Sequence, residues 1–359
     1  WWQKYIGSQA TPDPVPHVEI PQHPYMAPNG VSNMHNDGYM TDTYEYSGPL
    51  GINPQVISTN YGFAECATVT FDKFGRVVTV CTSLAGPRLL LLDPDTLDEL
   101  ASYDLPPRPW YWIFDEIGIF EDPSGGAYFY IDDNYNVVVT THDYRILVIE
   151  VPPLGNPCLG FQVVEEYDLS SGVIPQPWPN RDKIGPAIPD WGGDYYWYTT
   201  RYGLVGLVDR ITGQIDSIEL PGEQIQNSPA VAEDGFYVIS DYAMYRFHAD
   251  DEGNIEMDWR TEYDRGTRKK PGMLTQGSGT TPNIFGDLVA IADNADPKMN
   301  VIFLRRDTGE EVCSIPVFGD GESCTENALI GVQIDDDTYS VIVENNYGYE
   351  NFLTTAAGK

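Results

Sequence analysis

Short apolar runs alternate with turns rich in Gly, Pro, Asp and Asn, at a spacing of roughly 8–12 residues. Helical periodicity, with apolar residues at every third or fourth position, is almost absent. The 34 Gly and 28 Pro also leave few stretches that could sustain a long helix. The pattern therefore predicts an all-β protein.

The predicted strands repeat along the chain as pairs of hairpins. Each outer hairpin is an apolar strand, a turn of the D-x-x-T-G type and a second strand, and copies of it occupy 89–106, 205–221 and 301–317. A second, inner hairpin precedes each outer one, as in ATVTFDKFGRVVTV. Two hairpins in every ~45–50 residues make a four-stranded antiparallel blade, and blades arranged radially form a β-propeller.

The repeat places five complete blades and part of a sixth. The complete blades begin near residues 57, 109, 176, 223 and 273, and the sixth begins at Cys324 with one clear hairpin. We expect a propeller of about six to seven blades over 57–359, incomplete at the C-terminal end of this sequence. Residues 1–56 form a Pro-, Asn- and Met-rich arm, which either lies across one face or contributes a strand that closes the ring.

Charge narrows the choice of partners and of compartment. The formal net charge of −34 disfavours nucleic acid and anionic membrane surfaces, and no run reaches the ~20 apolar residues of a membrane span. Such acidity is typical of proteins adapted to salt or kept soluble outside the cell. The start at Trp1-Trp2 is consistent with a removed signal peptide or a trimmed chain, and we predict a secreted, periplasmic or cell-surface protein.

The five cysteines fit no zinc or thioredoxin motif. Cys66 and Cys81 end two strand-like runs across one predicted hairpin, which makes them a plausible disulfide. Cys313 and Cys324 flank a Gly-rich turn and could form a second one, which leaves Cys158 unpaired. This usage favours an oxidising compartment.

Several longer stretches resemble known propellers. NSPAVAEDGFYVISDYAMYRF and VDRITGQIDSIELP are similar to repeats of the PQQ-like and YVTN-type propellers. NMHNDGYMTDTYEYSGPLG, GSGTTPNIFGDLVAIADNADP and TENALIGVQIDDDTYSVIVENNYGY resemble a group of uncharacterised secreted bacterial propellers. The resemblance implies the fold along nearly the whole chain and brings no activity with it. Members of that group continue past the point that matches Asn351.

Polar residues at the ends of inner strands are the candidates for a central site. Oxygen donors without His or Cys suit Ca²⁺, which takes six to eight such ligands. Paraoxonases and gluconolactonase-like hydrolases are similar in using a channel calcium held by Glu, Asn and Asp, and the likeness is of residue type and blade position only. It implies a metal site formed by Asn227, Asp293, Asn294 and Glu326.

In that hydrolase hypothesis the cation polarises a lactone or ester carbonyl, and a His or carboxylate activates water. The polar cluster His35-Asn36-Asp37 in the arm supplies the candidates, with His35 as the base and Asp37 beside it as a second catalytic residue. The substrate would be a small ester or lactone.

Three alternatives stay open. Asn and Asp at strand ends also satisfy backbone groups of turns, and Trp110, Trp112, Trp191, Trp197 and Trp259 are typical of packing between blades. A non-catalytic propeller would bind a protein or a carbohydrate through one face as an assembly scaffold. A PQQ-type oxidoreductase would use similar calcium ligands, but the chain lacks a vicinal Cys pair and the repeated tryptophan docking motif.

Overall fold

The computed structural model describes residues 16–44, 56–62, 64–116, 122, 124–155 and 159–348. Within these residues, five antiparallel sheets have four strands each in consecutive order, and a sixth sheet has two strands. A short 3-10 helix among them spans Trp110–Phe114. The predictions of an all-β fold and of four-stranded blades are confirmed.

The first three blades follow one another along the chain. Blade 1 consists of β1 (Ala64–Phe71), β2 (Val77–Ser83), β3 (Gly86–Leu92) and β4 (Glu99–Asp104). Blade 2 consists of β5 (Phe129–Ile131), β6 (Val137–Thr140), β7 (Arg145–Glu150) and β8 (Gln162–Asp168). Blade 3 consists of β9 (Ile184–Pro189), β10 (Tyr195–Thr200), β11 (Leu204–Asp209) and β12 (Ile215–Glu219).

The remaining sheets complete the described part of the ring. Blade 4 consists of β13 (Ala230–Ala232), β14 (Gly235–Ile239), β15 (Ala243–Ala249) and β16 (Ile255–Glu262). Blade 5 consists of β17 (Asn283–Phe285), β18 (Leu288–Ala292), β19 (Asn300–Arg305) and β20 (Glu311–Pro316). Blade 6 consists of β21 (Ile330–Asp335) and β22 (Thr338–Ile342).

The first strand of each blade is the innermost one. The first strands of successive blades contact one another from β1 through β5, β9, β13 and β17 to β21, which is the radial order of a propeller. Each blade starts later than predicted, with β1 at Ala64 and β5 at Phe129, because the predicted boundaries include the loop that leads into the blade. We call the face that carries these loops, and the turns between second and third strands, the top face.

Aromatic side chains fill the space between neighbouring blades. The ring of Trp197 in β10 stacks on that of Phe236 in β14, with centroids 4.7 Å apart and planes 13° apart. Trp259 in β16 is buried, and its Nε1 donates to the backbone carbonyl of Arg306 beyond β19 at 2.9 Å. The predicted packing role of these two tryptophans is confirmed.

The arm runs through the centre of the ring. Backbone N–H groups of three successive inner strands donate to it: Val231 to the carbonyl of Gly38, Ile284 to that of Tyr39 and Gly331 to that of Thr41, at 2.9–3.2 Å. Earlier arm residues pair with β5, where Ile131 N donates to Ser32 O at 2.7 Å. The arm therefore supplies hydrogen-bond partners to inner-strand groups that would otherwise face the channel.

The cysteines follow the prediction in part. Cys66 and Cys81 form a disulfide across the β1–β2 hairpin, as expected. The predicted bond between Cys313 and Cys324 is wrong, because Cys313 is exposed on β20 while the buried Sγ of Cys324 contacts the carbonyl oxygen of Pro271. Cys158 lies outside the described residues.

No helix of the described chain is long and apolar enough to cross a membrane.

Candidate functional site

Two regions of the top face qualify as functional sites, and the first is the hub formed by the arm. Three non-glycine residues in the arm adopt positive φ, namely Asn36 at 76°, Met40 at 57° and Asp42 at 54°. Side chains rarely adopt this backbone region, so the surrounding contacts must hold the arm in place. One such contact is the side-chain carbonyl of Asn33, which accepts from His35 N at 2.7 Å.

His35 sits between a carboxylate and a hydroxyl group. Its Nδ1 lies 2.9 Å from Oδ2 of Asp42, and its Nε2 lies 3.2 Å from Oγ1 of Thr281. If Nδ1 carries the ring proton and donates a hydrogen bond to the Asp42 carboxylate, Nε2 keeps the lone pair that a general base needs. The ring also lines a small cavity of about 10 Å³, room for about one water molecule, whose walls include Met34, Tyr128 and Ser228.

Asp37 does not contact the imidazole of His35 through its carboxylate. It accepts from the Thr41 hydroxyl at 2.5 Å and from the Thr41 backbone N–H at 3.4 Å. Burial raises the pKa of Asp37 to about 6, against the lowering effect of these hydrogen bonds. Asp42, which no pattern in the sequence marks, is the carboxylate that orients His35.

Three of the four predicted calcium ligands bind one loop, the segment 263–282 between β16 and β17. Asn227 Nδ2 donates to the carbonyls of Ser278 and Thr280 at 3.1 and 3.0 Å. Glu326 Oε1 accepts from Leu274 N at 2.7 Å. Asn294 Nδ2 lies within 2.6–3.2 Å of three carbonyl oxygens of this loop, those of Arg265, Arg268 and Gln276.

Asp293, the fourth predicted ligand, holds its own turn between β18 and β19. Its Oδ1 accepts from the backbone N–H of Asn300 at 2.6 Å and of Ala295 at 3.2 Å, and its Oδ2 accepts from Asn300 Nδ2 at 2.6 Å. Burial raises the pKa of this carboxyl, although these donors favour the charged form. In the described chain, no three His, Cys, Asp or Glu side chains gather as a metal would require.

The second region is a set of exposed apolar side chains on the two top-face loops that lead into blades 2 and 3. Trp110, Ile113 and Phe114, all on the 3-10 helix, are 76%, 62% and 57% exposed. Trp178, in the loop that leads into β9, is 71% exposed. We call these four residues the aromatic patch. The expectation that Trp110 packs between blades is wrong.

Buried charges join the two loops that carry the aromatic patch. Lys183 Nζ lies 2.8 Å from Asp115 Oδ2, and both side chains are almost fully buried. The same carboxylate accepts from Arg181 N at 3.3 Å, and Glu116 N donates to Asn180 Oδ1 at 3.0 Å. Breaking a buried ion pair of this kind is strongly destabilising, so the patch is presented on a fixed base.

The sequence held a signal for the aromatic patch. Trp178 lies between Pro177 and Pro179, and Trp110 follows Pro109. Proline lacks the N–H that a sheet requires, so a tryptophan among prolines belongs to a loop rather than to an inner strand. No comparable signal marks Asp42 or Thr281, whose pairing with His35 depends on the path of the arm.

No protein-family model matches the chain, and no curated protein is significantly similar to it. Several solved propellers share its architecture at low identity. Virginiamycin B lyase from Staphylococcus aureus, solved as a catalytically inactive variant with quinupristin, is 13% identical, with a TM-score of 0.47 over 80% of this chain and 87% of that one. The Cps50 (Swd1) β-propeller domain of Myceliophteria thermophila is 12% identical, with a TM-score of 0.42 over 70% and 73%. BamB from Moraxella catarrhalis is 16% identical, with a TM-score of 0.36 over 73% and 75%.

Proposed function

We propose that the protein is a non-catalytic propeller that binds a partner protein through the aromatic patch. The observation that carries this proposal is the exposure of Trp110 and Trp178, which are 76% and 71% accessible on loops that buried charges hold together. Large exposed apolar side chains in a cluster mark interaction sites on soluble proteins. Tryptophan in particular is enriched among the residues that dominate binding energy.

The contacts of the arm and of two amide side chains at the hub also support a non-catalytic protein. The arm occupies the centre of the ring, and the amide groups of Asn227 and Asn294 donate to backbone carbonyls. The side-chain N–H groups of Asn227 and Asn294 are therefore engaged by the chain itself. A protein partner is favoured over a carbohydrate because Ile113 and Phe114 add apolar area without hydrogen-bonding groups.

A site-specific crosslinking experiment tests the proposal. A photoreactive phenylalanine replaces Ile113 and, in a separate protein, Ile211, which is 91% exposed in the β11–β12 turn on the opposite face. We expect a discrete crosslinked complex from position 113 in the producing cells and none from position 211. The double variant Trp110→Ser and Trp178→Ser should abolish the complex. Equal crosslinking from both positions, or from neither, would contradict the proposal.

A hydrolase is the second candidate, and the contact between His35 and Asp42 favours it. In this alternative His35 Nε2 acts as the base, Asp42 fixes the ring and Asp37 has no direct part. Calcium, held by Asn227, Asn294 and Glu326, would polarise the carbonyl of an ester or lactone. Asp293 fits this ligand set least, because both of its carboxylate oxygens already accept hydrogen bonds.

A matched pair of histidine variants separates the two candidates. His248 Nδ1 lies 2.9 Å from Asp258 Oδ1 on the outer strands, which repeats the His35 contact away from the hub. A hydrolase should lose activity on a panel of esters and lactones in His35→Ala and keep it in His248→Ala. The binding proposal predicts no activity above background in either variant or in the parent protein.

Secretion remains part of the proposal and is supported by the Cys66–Cys81 disulfide, a bond that persists in oxidising compartments. The PQQ-type oxidoreductase is not carried forward, because the arm lies in the centre of the ring.

A further inference from the structure

A small cavity is lined by both of the loops that carry the aromatic patch. Its volume is about 10 Å³, room for about one water-sized atom. The described lining includes three cationic side chains, Arg108, Arg181 and Lys183, and two carboxylates, Asp115 and Asp122. We call this cavity the cationic cleft.

Among the described residues of the lining, one positive charge is in excess. Lys183 pairs with Asp115 at 2.8 Å, and Arg108 Nε lies 3.7 Å from Asp122 Oδ2. In the described part of the chain, no carboxylate pairs with the side chain of Arg181. A partly buried guanidinium without a counter-charge is unfavourable unless an anion joins it.

Arg181 is held in place and still has donors to offer. Its guanidinium lies over the ring of Tyr144, 4.5 Å from the centroid, and its Nε donates to the Tyr144 hydroxyl at 3.0 Å. Its Nη2 donates to the backbone carbonyl of His142. Its Nη1 has no hydrogen-bond partner among the residues that the structure describes. The side chain is partly exposed, so a ligand can reach it.

We infer that the cationic cleft binds one carboxylate group, and that the partner of the aromatic patch supplies it. The inference rests on the proposed function and names the chemical group by which the partner is recognised. A guanidinium binds a carboxylate through charge-assisted hydrogen bonds, and the cleft has room for one of its oxygens. Because the whole chain carries a net charge of −34, a local excess of positive charge gives a carboxylate a specific place to bind.

His142 preserves the excess of positive charge without adding to it. Burial lowers its pKa to about 4, and the charges of Arg108 and Arg181 act in the same direction, so the ring is neutral at pH 7. Its Nε2 accepts from Arg108 Nε at 3.3 Å, and its Nδ1 lies 3.2 Å from Ser124 Oγ. Arg108 is therefore oriented in part by a neutral group rather than by a second carboxylate.

Acetate is the probe for the cleft, and acetamide, its uncharged isostere, is the control. The ¹⁵N-labelled whole chain is titrated with each at constant ionic strength, and the side-chain signals of Arg181 Nε and Trp112 Nε1 are followed by NMR. We expect a saturable shift with acetate and none with acetamide. Arg181→Met should weaken acetate binding about tenfold, the effect of losing a charged hydrogen bond.

Arg210→Met is the matched control for Arg181→Met. The guanidinium of Arg210 lies over the ring of Tyr196, 4.7 Å from the centroid, and its Nη1 donates to the carbonyl of Gly193 at 2.9 Å on the opposite face. This variant should bind acetate as the parent protein does. The comparison of acetate with acetamide on the parent protein gives an answer even if Arg181→Met does not fold.

The complex crosslinked from position 113 distinguishes a carboxylate of the partner from a free one. If the partner supplies the group, Arg181→Met should reduce the yield of this complex about tenfold, Arg210→Met should leave it unchanged, and excess acetate should compete with it. A complex that neither Arg181→Met nor acetate affects would overturn the assignment of the carboxylate to the partner.

The titration decides whether the cleft binds carboxylates at all. Equal shifts with acetate and acetamide, or no shift with either, would overturn the inference. If position 113 captures no complex, the proposed function fails and the partner's part in this inference fails with it. The acetate titration does not depend on the partner, so the two failures can be told apart.

Discussion

The side-chain amide of Asn294 donates to the backbone carbonyl of Gln276 at 2.6 Å. This contact fixes the loop that leads into blade 5, and it uses the N–H group rather than the oxygen that would bind a cation. The clamp on the backbone therefore predicts that substitution of Asn294 by aspartate destabilises the protein.

Asn294→Asp should destabilise the protein. The carboxylate would face the carbonyls of Arg265, Arg268 and Gln276 with no hydrogen to donate. We expect the free energy of unfolding in urea to fall by about 2–3 kcal/mol, the cost of leaving buried polar groups unpaired. Asn60→Asp is the control, because exposed Asn60 uses its oxygen to accept from Gly62 N and aspartate keeps that oxygen. A variant of Asn294 that is as stable as the parent and binds calcium more tightly would support the ligand role instead.

Calcium dependence separates the two candidate functions. If the hub binds calcium in the folded state, EDTA should lower the melting temperature and added Ca²⁺ should restore it by mass action. The binding-propeller proposal predicts no shift in either direction. Differential scanning calorimetry of the EDTA-treated protein, with and without Ca²⁺, makes the measurement. A calcium response that disappears in Asn227→Ala would favour the hydrolase.

Asp37 should make the arm more stable in mild acid. Burial raises the pKa of its carboxyl to about 6 in the folded protein, above the ~4 of an unfolded chain. The folded state then binds the proton more tightly, so this contribution is complete below pH ~4 and is lost as pH rises to about 6. The free energy of unfolding should therefore fall by about 3 kcal/mol less in Asp37→Asn than in the parent protein as pH rises from ~4 to about 6. Urea unfolding across this pH range makes the measurement. An unchanged pH profile in the variant would show that Asp37 is not buried as described.

His23 should make the protein less stable in acid, which is the opposite of the effect of Asp37. It packs against Trp191 with ring centroids 4.6 Å apart, and burial lowers its pKa to about 4. The folded state disfavours the charged imidazole, so its contribution is complete above pH ~6.5 and is lost as pH falls through about 4. His23→Asn should lower stability at pH 7 and flatten the acid side of the profile by about 3 kcal/mol. If the stability of the variant falls in acid as steeply as that of the parent protein, a group other than His23 causes the fall.

The repeat in the sequence was sufficient for the fold because each blade repeats the same strand and turn chemistry. Glycines such as Gly75 and Gly309 lie in the turns between strands and have positive φ. The predicted blades begin too early because the loop that leads into each blade has no regular pattern to mark where it ends. Closeness along the chain favours a bond between Cys313 and Cys324, but Cys313 is exposed on the outer strand β20 and Cys324 is buried.

The sequence supplied candidate polar residues at strand ends, but neither the central path of the arm nor the contacts of those residues could be assigned from it. An Asn at a strand end offers both a donor and an acceptor, and only the path of the neighbouring backbone decides which is used, as at Asn227. The pairing of His35 with Asp42 rather than Asp37 depends on the positive φ of Asn36 and Met40. Such backbone conformations are not encoded by a pattern of apolar and polar residues.

Hydrogen exchange at three amides tests the central claim that the arm fills the channel. Val231, Ile284 and Gly331 donate to the arm carbonyls of Gly38, Tyr39 and Thr41. If the arm fills the channel, these amides should exchange as slowly as the buried strands around them, because opening them requires the arm to leave the hub. Exchange as fast as in the exposed turn at Asp336 would show that the channel is open and that the arm does not occupy it.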